Sequence, residues 1–163
     1  MLYRNIDTRF VKPVIIDENI SSELISSSIT DKLTKLHTRK FFNDALNREI
    51  EAFHRDKSSL CLIMIDIDDF KIINDQFGHQ KGDEVLVTIG EIIKTYVRKM
   101  DISARYGGEE LVVIMPHCVI KDAKHVAERI RLEIEKNRFF DGVTITVSMG
   151  VSCMSQVTNS KER

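Results

Sequence analysis

Asp66 stands directly after the apolar run Leu60-Cys61-Leu62-Ile63-Met64-Ile65, and Asp68 and Asp69 follow close behind. A second acidic pair, Glu109-Glu110, comes straight after Gly107-Gly108. Carboxylates at the ends of neighbouring strands in one sheet can bring Asp66 and Glu109 together as a hard oxygen site suited to magnesium. A pair of ions held this way activates an attacking hydroxyl and stabilises a phosphoryl transition state. The glycines would let a nucleotide lie close to the turn, because no side chains stand in its way. Spacing alone leaves a plainer reading equally open. In that reading Asp66 and Asp68 cap the next helix, and Glu109-Glu110 are turn acids facing water.

The hydrophobic pattern shows which elements must carry these residues. Phe42, Leu46, Ile50 and Phe53 recur at helical spacing and predict an amphipathic helix from Arg39 to Asp56. The unbroken run from Leu60 to Ile65 fits a central strand covered on both faces. A short helix from Asp69 to Phe77 should stop at Gly78. Val85, Leu86, Ile89, Ile92, Ile93, Tyr96, Val97 and Met100 form the clearest helical stripe, with Asp83 placed ahead of it as a cap. Ile102–Tyr106 and Glu109–Met115 read as strands joined by a glycine turn with positive φ, and Pro116 ends the second. Ala123, Val126, Ala127, Ile130 and Ile134 mark another helix. Val143 to Val151 alternates as a strand with one buried face. The order implies a mixed, largely antiparallel sheet flanked by helices, α/β in the loose sense or α+β.

The chain has 163 residues, 42% of them hydrophobic and 30% charged, which suits an ordinary globular domain. Its 24 Lys+Arg against 25 Asp+Glu leave a net charge of −1, without the basic excess of a nucleic-acid binder. No apolar run approaches the roughly 20 residues of a membrane helix, so no membrane partner is expected within this chain. Three cysteines without a Cys-x-x-Cys pair suggest a reducing, cytoplasmic setting without disulfide or zinc. The charged residues Lys121, Lys124, Arg129, Arg131 and Lys136 alternate with Asp122, Glu128, Glu133 and Glu135, as on a solvated helix face.

Arg105-Tyr106-Gly107-Gly108-Glu109-Glu110-Leu111 resembles the signature of the GGDEF family, the bacterial diguanylate cyclases, in a GGEEL variant. Asp66-Ile67-Asp68-Asp69-Phe70-Lys71-Ile72-Ile73-Asn74-Asp75, followed by Phe77-Gly78-His79-Gln80-Lys81-Gly82-Asp83, matches a second and longer family motif. Asp31 to Leu36 resembles the family's opening motif, and Val147-Ser148-Met149-Gly150-Val151 its late strand. The matches run in order from about Asp31 to Val151. The resemblance implies the family's palm-like nucleotide-cyclase fold and condensation of two GTP into cyclic di-GMP with release of two pyrophosphates. The reaction would run in a homodimer with Mg2+, or Mn2+ in its place.

By the same resemblance Asp66, the Ile67 carbonyl, Glu109 and Glu110 would hold metal. Glu110 could also serve as base for the attacking 3′-hydroxyl. The backbone N–H groups of Asp69 and Phe70 would meet phosphate at a helix N-terminus, with Lys71 adding positive charge. Gly107 and Gly108 would lie against the nucleotide, and Asn74 and Asp83 would read guanine through complementary donors and acceptors. Arg98 and Asp101, with Arg129 from the next helix, would form an inhibitory product site. Residues 1–30 read as a linker or lead-in helix behind a sensor or receiver domain, and 31–163 as a GGDEF domain lacking its closing segment. Lys35 stands where the family carries glycine, and Leu111 where it usually carries phenylalanine. The competing reading is a non-catalytic module that binds GTP or cyclic di-GMP.

Overall fold

The computed structural model describes residues 29–155. The expectations for residues 1–28 and for the tail beyond Ser155 lie outside the described residues. The chain forms β1 (His37–Thr38), α1 (Arg39–Asp56), β2 (Leu60–Ile67), α2 (Phe70–Phe77), α3 (His79–Tyr96), β3 (Ile102–Arg105), β4 (Glu110–Pro116), α4 (Ile120–Lys136) and β5 (Val147–Met154). A short 3-10 turn, Phe140–Gly142, precedes β5. The sheet runs β1-β3-β4-β2-β5, antiparallel except for the parallel pair of β1 and β3. This is the mixed, helix-flanked sheet that the sequence predicts.

Period two along the strands separates two apolar layers. Cys61, Ile63, Ile65 and Ile67 of β2, with Leu111, Val113 and Met115 of β4, face α3 and α4. Those helices cover them with Val85, Leu86, Ile89, Ile93, Ala123, Ala127, Ile130 and Ile134. Leu60, Ala104, Val112 and Ile114 face α1, which contributes Phe42, Ala45 and Phe53. α1 begins where the Thr38 hydroxyl accepts from the Phe41 N–H at 3.4 Å, and it ends on Lys57 in the left-handed region. Leu111 is fully buried opposite Ile65, so the departure from phenylalanine is absorbed in the core.

Several local expectations are corrected. α3 starts at His79, immediately after Gly78 at φ +86°, so Asp83 is an interior helical residue and not a cap. The same helix ends at Tyr96, which leaves Met100 exposed beyond it. The last strand begins at Val147 and not at Val143, because the β2 ladder ends at the pair Ile67–Val147 and earlier residues have no strand to pair with. β1 has only two residues and carries no periodic signal. Lys35 lies at φ +57°, the left-handed region that favours the glycine of the family pattern.

The cysteines also depart from expectation. Cys61 and Cys153 are in-register partners on β2 and β5, and their sulfurs are bonded. Only Cys118 is a free thiol, and it is buried. The sequence hides the pair because 92 residues separate its members. Strand register alone brings them together.

Candidate active site

The ladder between β2 and β4 places Asp66 directly opposite Glu110. Both residues have the parity of Met64 and Val112, so they project on the α1 side of the sheet at its end. Directly opposed residues hold their Cβ atoms about 5 Å apart. Glu109, the partner expected for Asp66, stands one residue before the strand and belongs to the turn.

That turn is built differently from the expected one. Among the described glycines only Gly78 and Gly142 have positive φ, so neither Gly107 nor Gly108 is needed for a left-handed backbone. The amides of Tyr106 and Gly107 both donate to the Glu110 carbonyl, at 2.8 and 3.2 Å. Arg105 closes the turn from outside: Nε donates to the carbonyls of Gly107 and Gly108 at 3.2 and 3.1 Å, and Nη2 to Gly108 at 2.8 Å. What Gly107 supplies is space, because a Cβ there would overlap the Glu110 carboxylate.

Arg105 was not singled out by sequence reasoning, and neither was its counter-charge. Asp31 lies 3.6 Å from Arg105 Nη1 and accepts from the Thr34 amide and hydroxyl at 2.9 and 2.8 Å. Burial pushes the Asp31 carboxyl up, but the Thr34 donors and Arg105 together bring it below its ordinary value. The signal was an arginine beside a glycine turn whose carbonyls lack ladder partners.

The β2–α2 connection is two residues long. Asp68 donates its amide to the Thr146 carbonyl at 3.1 Å and accepts the Ser148 and Thr146 hydroxyls at 2.6 and 2.7 Å. These hydroxyls, Ser148 first, hold its carboxyl below the usual range. Asp69 is exposed at φ +56°, ψ +24° and places no side-chain cap on α2. The N–H groups of the first turn, Phe70 and Lys71 among them, therefore have no capping side chain from Asp69.

Asn74 and Asp83 sit on the two successive helices that meet at Gly78. The Asn74 amide lies against Gly82, where a Cβ would collide with Oδ1 and come within 3.2 Å of the Phe70 ring. Gly82 thus lets α2 and α3 approach with Asn74 between them, and Asp83 is the next residue, exposed on α3. At the other end of β4, about 20 Å away by strand rise, Arg98 and Asp101 are joined. Asp101 accepts from the Arg98 amide at 2.8 Å and from its guanidinium at 3.0 and 3.3 Å, with Arg98 Nη2 also reaching the Pro116 carbonyl at 3.3 Å. The Asp101 side chain is 0% exposed while that of Arg98 is 48% exposed. Arg129 lies over the Tyr96 ring at 4.9 Å. Arg131 is paired with Glu128 and Glu135, as a solvated helix face requires.

Among the described residues no three His, Cys, Asp or Glu side chains form a closed metal cage. The acidic end instead offers two opposed carboxylates, a turn and a helix N-terminus on one open rim.

The profile of the diguanylate cyclase GGDEF domain matches residues 28–163. Response regulator PleD of Caulobacter vibrioides is 40% identical over 130 residues, which cover 77% of this chain and 29% of PleD. Diguanylate cyclase A of Treponema denticola is 40% identical over 138 residues, covering 81% and 37%. The chain thus spans about a third of the length of these relatives. The coiled coil and GGDEF domain of DgcB from Caulobacter crescentus, in complex with c-di-GMP, superposes with a TM-score of 0.79 at 30% identity, over 85% of this chain and 75% of that one. The active GGEEF domain of a diguanylate cyclase from Vibrio cholerae gives 0.70 at 34% identity, over 74% and 78%. The chain belongs to the GGDEF family of diguanylate cyclase domains.

Proposed function

We propose that this chain condenses two GTP molecules into cyclic di-GMP and two pyrophosphates, each protomer of a homodimer presenting one GTP. The register that sets Asp66 opposite Glu110 beside the glycine turn carries this reading. The donor set there is carboxylate and carbonyl oxygen, which fits a hard divalent ion such as Mg2+ or Mn2+. A few carboxylates and one backbone carbonyl, without a closed cage, suit an ion that keeps waters and substrate phosphates as its other ligands. Asp66, Glu109, Glu110 and the Ile67 carbonyl would hold it. Once bound, the ion would neutralise charge on the α-phosphate and ease ionisation of the attacking 3′-hydroxyl.

The remaining work falls to the chain itself. The α2 N-terminus, through the amides of Asp69 and Phe70, receives phosphate, and exposed Lys71 adds a cation there. Asn74 and Asp83 offer an amide and a carboxylate to the guanine edge, a set that adenine does not satisfy. Glu110, folded over Gly107, accepts the proton of the 3′-hydroxyl. Two protomers are needed because each 3′-oxygen attacks the α-phosphate of the other nucleotide. A GTP substrate suits a cytoplasmic setting, and a sensor or receiver elsewhere in the protein would supply the input signal.

Incubation with GTP and Mg2+, followed by mass spectrometry, tests the reaction. Cyclic di-GMP should form and should disappear in Glu110→Gln. A dimeric protein that makes no product would overturn the reading. Arg98, half exposed and oriented by Asp101, further suits a phosphate or guanine of the product. Calorimetry with cyclic di-GMP should show binding that Arg98→Ala abolishes. Binding without turnover would favour the non-catalytic module.

A further inference from the structure

We propose that Asp68 is a positioning residue, clamped by the hydroxyls of Ser148 and Thr146 so that the start of β5 and the residue before it set the loop bearing the metal and phosphate ligands. The inference rests on the function proposed above and assigns a role to an acid that it leaves unused. Of the three clustered acids, Asp68 alone has both carboxylate oxygens bonded to side chains of the structure. Its amide is fixed as well, to the Thr146 carbonyl. All of these partners come from a segment 78 to 80 residues further along the chain.

The place of the clamp explains its use. The β2–β5 ladder ends at Ile67–Val147, so nothing in the sheet holds the chain beyond Ile67. Only Asp68 and Asp69 separate Ile67 from α2, with Asp69 already turned into the left-handed region. The Ile67 carbonyl and the Asp69 and Phe70 amides therefore lie on a span whose fixed point outside the sheet is Asp68. Short O–H···O⁻ bonds are stronger than neutral ones and suit such an anchor. Ser148 is also the in-register partner of Asp66. One residue of β5 thus adjoins the proposed metal ligand through the ladder and Asp68 through its hydroxyl.

The alternative is that Asp68 is itself a metal ligand, and the two roles predict opposite signs. Removing a hydroxyl from a clamp loosens the loop and weakens metal binding. Removing it from a competing ligand frees a carboxylate oxygen and tightens binding. Ser148 and Thr146 are exposed, so Ser148→Ala and Thr146→Val leave the core intact. Mn2+ uptake can be followed from the free-ion electron paramagnetic resonance signal, with a GTP analogue carrying a methylene between its α- and β-phosphates. Losing a partner that orients metal ligands typically costs 10- to 100-fold in affinity.

About a tenfold loss is therefore expected in Ser148→Ala, with Ser148→Thr restoring most of it and the thermal midpoint unchanged. In turnover assays at saturating metal, kcat should fall more than the KM for GTP rises. Asp68→Asn combined with Ser148→Ala should weaken Mn2+ no further than Asp68→Asn alone. Unchanged or tighter Mn2+ binding in Ser148→Ala, or full additivity in the double variant, overturns the clamp while the site stands. A wild-type chain that takes up no Mn2+ with the analogue overturns the metal-site reading, and the clamp falls with it.

Discussion

At Gly107 an added Cβ would meet the Glu110 carboxylate, the movable end of a side chain, whereas a Cβ at Gly108 would meet nothing within 4 Å. The neighbouring glycines therefore answer different demands. Gly107→Ala should push the Glu110 carboxylate off its position, and a displacement of about 1 Å at a reacting group can cost about 100-fold in rate. We expect a turnover loss of that order in Gly107→Ala, measured as cyclic di-GMP formed per protomer, with little change in thermal midpoint. Gly108→Ala, at a φ an alanine can adopt, should leave stability unchanged or raise it by up to about 1 kcal/mol. The glycine pair was legible in the sequence, but its reason was not. A glycine needed for space and one needed for positive φ look alike until the neighbouring carboxylate is placed. Arg105 and Asp31 were hidden for a similar cause, since an ion pair across 74 positions of chain leaves no local pattern.

Gly82 illustrates how helices, once formed, compete with the site they carry. Alanine in a helix interior is favoured over glycine by about 1 kcal/mol, but a methyl at position 82 would enter the space of the Asn74 amide. The displaced atoms are the end of a movable side chain, so the propensity gain and the clash should nearly cancel in stability. The cost should fall on recognition. Gly82→Ala should raise the KM for GTP about tenfold, the size of one lost hydrogen bond, while its melting temperature stays within a few degrees of wild type. Helical periodicity gave α1 its bounds, Arg39–Asp56, and α4 and the hairpin fall where predicted. Both ends of α3, however, lie about four residues before those its apolar stripe implied, because helix ends are set by Gly78 and by backbone pairing and not by the stripe. Pairing between distant strands was not readable, and the Cys61–Cys153 bond depends on it. In a reducing cytoplasm such a bond is open. Unfolded without reductant, the oxidised protein should show one reactive thiol, and with reductant three. Closing so long a loop restricts the unfolded chain by up to about 4–5 kcal/mol, so reduction should lower the melting temperature. Three thiols without reductant would show that Cys61 and Cys153 stay reduced in the folded protein.

Across the whole molecule, charges placed for local reasons tilt the fold's stability with pH. Asp31 lies below its ordinary 3.8 because the Thr34 donors and Arg105 outweigh its burial, and Glu128 lies below 4.5 chiefly through Arg131. The unfolded chain then binds more protons than the native one, so stability rises with pH through the acid range. Their contribution is complete above the unfolded values and is lost as pH falls through the lower folded ones. At the alkaline end burial pushes the Cys118 thiol above 9.0, against the opposing pull of Arg98 and with help from Asp122 and Asp101. The Glu133 hydrogen bond raises Tyr96 above 10.0, with Arg129 opposing. Here the native state holds protons longer than the unfolded one, so stability is complete below the unfolded values and falls as pH rises past them. A plateau between about pH 5 and 8 should therefore fall away on both sides. Denaturant melts from pH 2 to 11 would show it. Asp31→Asn should make only the acid limb shallower and Tyr96→Phe only the alkaline one, because the two groups sit in separate networks whose effects add. An acid limb as steep in Asp31→Asn as in wild type would show that the carboxyl locking Arg105 to the glycine turn contributes nothing to the fold's acid sensitivity.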